Sequence, residues 1–97
     1  MAARPHQLRV PDAVVIFIRS MHPQLEREVR AALQAIQASP TTTGKQLRDE
    51  LAGLQSVRGR RWRMIYRVAS DANIDIIAIG PRHHIYEETY RLINKPL

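Results

Sequence analysis

The chain has no cysteine, which rules out both a disulfide framework and a thiolate metal site. Aromatic residues are few, with one tryptophan, one phenylalanine and three tyrosines in 97 residues. Long apolar runs are missing as well. The longest, residues 13–18, is far short of the roughly 20 residues of a membrane span. Residues 1–10 are polar and include Pro5, so no secretory signal is read there, and the expectation is a cytoplasmic protein without a membrane partner. No Walker, Rossmann, Gly-x-Ser-x-Gly or EF-hand pattern occurs, and there is no repeat, low-complexity stretch or linker. Acidic residues are in deficit, nine against fifteen cationic ones, giving a net charge of +6. Thirteen of those fifteen are arginine, whose planar fork suits phosphate and carboxylate, and they are clustered. The balance points to a polyanionic partner. The length and the 44% apolar content predict one folded domain, residues 1–97, with a modest core.

The pattern along the chain predicts an α+β fold. Residues 6–10 read as a short strand ended by Pro11. Asp12 is placed to cap a first helix over residues 13–21, with Val14, Val15, Ile18 and Met21 on one side. Pro23 suits the first turn of a second helix, along which Leu25, Val29, Ala32, Leu33 and Ile36 recur at helical spacing. Glu26 and Arg30 form a supportive pair four residues apart. Ser39-Pro40 stops this helix, residues 41–44 read as a loop, and residues 45–52 read as a helical turn with Leu47 and Leu51 packing. Strands follow at residues 54–58, 61–69 and 74–79, separated by Gly59-Arg60 and by the turn residues 70–73. On the middle strand Trp62, Met64, Tyr66 and Val68 share one face, while Arg61, Arg63, Ile65 and Arg67 share the other. The strand at 74–79 is nearly all apolar and should be covered on both faces. Residues 85–93 suit a terminal helix. The predicted order is β-α-α-β-β-β with a helical tail: a small antiparallel sheet packed on an N-terminal αα-hairpin.

Two clusters carry the candidate chemistry. Five arginines, Arg58, Arg60, Arg61, Arg63 and Arg67, fall within ten residues around a hairpin tip. Such a cluster repels itself, and a bound phosphate would relieve the repulsion. The second cluster, Arg82-His83-His84-Ile85-Tyr86, follows an apolar strand, where a sheet can fix its position. Arg82 can fork onto a phosphate, a histidine can move a proton near neutral pH, and Tyr86 can stack on a base or donate its hydroxyl. Adjacent histidines without a third ligand nearby do not make a zinc site. Trp62 reads as core, and His6 and His22 read as surface or cap residues. Asp49 and Glu50 read as solvated turn acids, with Glu50 held as a reserve base.

The spacing Gly44-Lys45-x-Leu47, Glu50-Leu51-x-Gly53-Leu54, Arg58, Trp62-Arg63-Met64-Ile65-Tyr66-Arg67-Val68 and Ile77-x-Ile79-Gly80-x-Arg82-x-x-Ile85-Tyr86 resembles the RelE/ParE superfamily of bacterial type II toxins. The resemblance spans essentially the whole chain and implies a small antiparallel sheet on two N-terminal helices. Its RelE-like branch implies a metal-independent, cofactor-free endoribonuclease, an mRNA interferase that cuts messenger on the ribosome and inhibits translation. A cognate antitoxin would be its partner in a hetero-oligomer. By motif position Arg63 and Arg82 match the phosphate-binding arginines, Tyr86 matches the C-terminal tyrosine, and Arg58 lies on the strand that carries basic catalytic residues. Lys45, Arg60, Arg61 and Arg67 are further expected RNA contacts. Where RelE-like members often carry lysines, this chain has arginines, which cannot act as a general base. Proton transfer therefore falls to His83 or His84. The alternatives are a ParE-like DNA gyrase inhibitor without nuclease activity and a non-catalytic RNA- or ribosome-binding module.

Overall fold

The computed structural model describes residues 7–81. Five strands and three helices follow the order β1 (Leu8–Arg9), α1 (Asp12–Ser20), α2 (Pro23–Ala38), α3 (Pro40–Thr43), β2 (Lys45–Gln46), β3 (Gln55–Arg58), β4 (Trp62–Val68) and β5 (Ile74–Pro81). A 3-10 turn, Asp49–Leu51, lies between β2 and β3. The expected terminal helix at 85–93 falls outside the described residues.

The helices begin where the sequence permits. Pro11, rather than Asp12, occupies the cap position of α1. Asp12 instead sits in the first turn, where a negative charge complements the helix dipole. Pro23 opens α2, and the His22 ring caps it by accepting the Gln24 backbone N–H at 3.2 Å. Glu26 and Arg30 pair at 3.2 Å along the exposed side of α2.

The sheet order is β1-β5-β4-β3-β2. β2 through β5 are antiparallel neighbours, while β1 adds a parallel edge to β5. One face packs on α1 and α2, burying Trp62, Met64, Tyr66, Ile74, Ile76 and Ile79 against Val14, Ile18, Val29 and Ile36. The other face carries a smaller cluster of Leu54, Ile65 and Ala78, edged by Leu47, Leu51 and Ile77. A bulge explains how β5 serves both clusters. Ile65 lies opposite Ala78 but Tyr66 lies opposite Ile76, so Ile77 is the extra residue and the inward positions step from Ile76 to Ile79.

Three local expectations change. Residues 41–44 are not simply a loop, because Pro40 starts a short helix. Buried Tyr66 donates its hydroxyl to the Pro40 carbonyl at 2.6 Å, and Gln55 Nε2 donates to the Thr41 carbonyl at 3.2 Å. The start of the 45–52 segment is strand rather than helix, since Lys45 and Gln46 pair with Ser56 and Gln55. The first strand is shorter than residues 6–10 and runs parallel to its neighbour. Gly44 follows α3 because a Cβ there would stand 2.8 Å from Tyr66 Cε1. Burial pushes the Tyr66 hydroxyl above its ordinary pKa, in keeping with a neutral donor.

Replacing Tyr66 with phenylalanine leaves the Pro40 carbonyl without its donor. The expected loss is about 1–2 kcal/mol in urea unfolding with an unchanged denaturant slope.

Candidate functional site

The strand register divides the arginine cluster. Arg58 on β3 lies directly opposite Arg63 on β4, and Arg63 lies opposite Gly80 on β5. Opposed residues place their Cβ atoms about 4.5–5.5 Å apart on one face, where like charges destabilise the pair. One row over, Lys45, Ser56, Ile65 and Ala78 align across four strands. These two rows lie on the face turned away from α1 and α2, because Trp62, Met64 and Tyr66 take the other side of β4.

An open groove of about 940 Å³ covers this region. Its charged lining consists of Lys45, Arg48, Arg58, Arg63 and Asp49, with Leu47, Leu51 and Val57 among its apolar walls. Arg63 is half-buried with its Nε enclosed, and Arg58 stands exposed. β2 and the 3-10 turn form the near wall, with the backbone of the turn closed by Leu51 N–H to Arg48 O and Ala52 N–H to Asp49 O, both 3.1 Å. The smaller apolar cluster lies beneath this wall and holds it against the sheet. The groove thus gathers positive charge among polar and apolar side chains in an opening reached by solvent.

The remaining arginines of the cluster are engaged elsewhere. Arg60 turns back toward α2 and pairs with Glu28 at 3.0 Å, and Trp62 Nε1 donates to the same carboxylate at 3.4 Å. The Arg60 hydrogen bond, aided by Trp62, holds the Glu28 carboxyl below its ordinary pKa. Gly59 makes this clasp possible, because any Cβ there would overlap the Trp62 indole. Arg61 sits with Arg60 beside His22, Gln24 and Leu25, on the helix side of the turn. Arg67 shares the sheet face of Arg63 but lies four residues along β4, about 13 Å away at strand spacing. There it pairs with Asp75 at 3.0 Å, the residue opposite it on β5. Arg9 from β1 joins the same Asp75 and reaches Asp71 at 3.1 Å.

Of the expected site residues, then, the fold brings together Lys45, Arg58 and Arg63, and it sets Arg60, Arg61 and Arg67 apart. Arg82, His83, His84 and Tyr86 lie outside the described residues. Arg48 and Asp49 join the groove although the sequence reading did not select them for it. Arg48 carried a weak signal as a cation beside the Gly44-Lys45 motif, but its place depends on the turn that follows β2.

No family model and no curated protein matches this chain. Solved structures do. The free E. coli toxin RelE, carrying two arginine-to-alanine substitutions, superposes with a TM-score of 0.74 at 16% identity, over 97% of this chain and 100% of that one. The fold is RelE-like. A chain of the RelBE2 toxin–antitoxin complex from Mycobacterium tuberculosis shares 26% identity over 81% of this chain and 100% of that one, with a TM-score of 0.69. The intact E. coli RelBE toxin–antitoxin complex matches with a TM-score of 0.69 at 16% identity, over 80% of this chain and 98% of its own. These RelE-like matches support a type II toxin. Among the described residues no helix is long and apolar enough to cross a membrane.

Two measurements check the charge assignments. The Asp75 carboxyl is held below the ordinary range, first by the Arg9 hydrogen bond and then by Arg67. A depressed folded pKa contributes stability that is present above the unfolded value of about 3.9 and is lost as pH falls through the folded one. The melting temperature should therefore drop on acidification below about pH 4, and less steeply in Asp75→Asn. In the groove, inorganic phosphate should raise the melting temperature more than chloride at equal ionic strength, because it binds the folded state between opposed cations. Arg58→Ala should remove that excess.

Proposed function

We propose that this chain is the toxin of a type II toxin–antitoxin system and acts as a metal-independent endoribonuclease, an mRNA interferase that cuts messenger on the ribosome. The observation that carries the reading is the direct opposition of Arg58 and Arg63 in a groove also lined by Lys45 and Arg48. Cations held side by side on one sheet face favour an anion that reaches both. A phosphodiester is such an anion, and arginine forks match its oxygens.

In the proposed reaction a ribose 2′-oxygen attacks the adjacent phosphorus. The bond from phosphorus to the 5′-oxygen breaks, leaving a 2′,3′-cyclic phosphate and a free 5′-hydroxyl. Negative charge grows on the phosphate oxygens, and cations already in place stabilise it without reorganising. Arg63 and Arg82 take that role, together with Arg58, which lies opposite Arg63. His84, with His83 as its neighbour, moves the proton that arginine cannot. Tyr86 stacks on the substrate nucleotide or orients it. The partner in the cell would be a cognate antitoxin, by likeness to the RelBE complexes, and it would cover the cationic groove with an acidic or amphipathic segment.

The test is to induce the protein in bacteria and map the 5′ ends of a reporter messenger. New ends are expected with the wild-type chain. Arg63→Ala should reduce cleavage on the order of 10²- to 10³-fold. Arg82→Ala and Tyr86→Ala should abolish toxicity while leaving the fold intact. Intact messenger accompanied by DNA-damage signalling would replace this reading with a gyrase-directed one.

A further inference from the structure

Asp49 is the only carboxylate among the described residues that line the groove, and it shares that lining with Lys45, Arg48, Arg58 and Arg63. Four other carboxylates are ion-paired to arginines: Glu26, Glu28 and Asp71 to one each, and Asp75 to both Arg9 and Arg67. Among the described residues no ion pair or side-chain hydrogen bond engages Asp49. Its backbone lies in the left-handed region at φ 56°, a conformation that aspartate and asparagine adopt at lower cost than most residues. The turn from Arg48 to Ala52 holds it there.

An anionic acceptor in a phosphate groove works against phosphate unless the ligand also brings a donor. Phosphate and deoxyribose within a strand offer none, whereas a ribose offers its 2′-hydroxyl at every nucleotide. The proposed function requires a nucleic-acid strand on Arg58 and Arg63, and the inference rests on that reading. We infer that Asp49 accepts a hydrogen bond from a ribose 2′-hydroxyl of that strand, and so makes the groove select RNA over DNA. Selectivity is then a property of the bound ground state and does not depend on cleavage. The cations hold the backbone of either nucleic acid, and Asp49 repels both equally through its charge. Only RNA recovers a charge-assisted hydrogen bond in return.

The test is equilibrium binding of one short labelled single strand, made as RNA and as DNA of the same sequence, with the RNA checked for intactness after each titration. Wild type should prefer RNA by about tenfold, the effect of one hydrogen bond to a charged group. Asp49→Gly suits the positive φ and removes the acceptor. It should bind the two strands within about twofold of each other, chiefly by gaining affinity for DNA once the repulsion is gone. Asp49→Asn keeps an acceptor oxygen without the charge, so it should bind both strands more tightly than wild type and still prefer RNA. Equal RNA and DNA affinity in wild type, or an undiminished RNA preference in Asp49→Gly, would overturn the inference while leaving the groove as a nucleic-acid site. Failure of wild type to bind either strand would overturn the groove reading and the inference together.

Discussion

Burial of Trp62, Met64 and Tyr66 against α1 and α2 determines which way β4 faces, and the rest of the structure depends on that orientation. Side chains alternate along a strand, so a slip of one residue would turn these three to solvent and drive Arg63 and Arg67 into the core. The cost of burying unpaired guanidinium groups makes that alternative untenable. With β4 oriented, the register with β3 follows and Arg58 falls opposite Arg63. Like-charge opposition is thus a by-product of apolar packing on the far side of the same strand. The domain sustains it because the gain from burying large side chains exceeds the repulsion between an exposed Arg58 and a half-buried Arg63.

The hairpin between β3 and β4 shows how a single turn sorts similar residues into different roles. Gly59 lets the Trp62 indole fold beneath the turn, and Glu28 on α2 receives both that indole and Arg60. One arginine thereby ties the hairpin to the helices, while the arginine two residues earlier remains available in the groove. At the far end of β4, Asp75 gathers Arg67 and Arg9, joining β1, β4 and β5. The acidic residues are few, and most of those near arginines neutralise cations outside the groove. Positive charge is concentrated inside it as a result.

Much of the fold was legible in local pattern. The α2 periodicity, Pro23 at its start, the Glu26–Arg30 pair and the alternation along β4 are all relations between residues close in sequence. What escaped depended on partners far away. The Pro40–Thr43 helix is held by Tyr66 and Gln55, and β2 exists only through its pairing with β3. A two-residue strand has no period of its own to read. The bulge at Ile77 was also invisible, because an unbroken apolar run gives no sign of where its facing shifts.

The candidate site divides along the same line. Composition and clustering by themselves raised the expectation of a polyanionic partner, and the motif spacing carried the resemblance to the RelE-like toxins, because charge and local order are properties of sequence. Which of the described arginines share a groove was decided only by the tertiary structure. Arg58, Arg60, Arg61, Arg63 and Arg67 are equivalent as a string of letters. Strand register put Arg58 beside Arg63, ion pairs with Glu28 and Asp75 drew Arg60 and Arg67 away, and the turn after β2 brought in Arg48 and Asp49. Long-range pairing sets the distances between charges, and the energy of a charge depends on its distances.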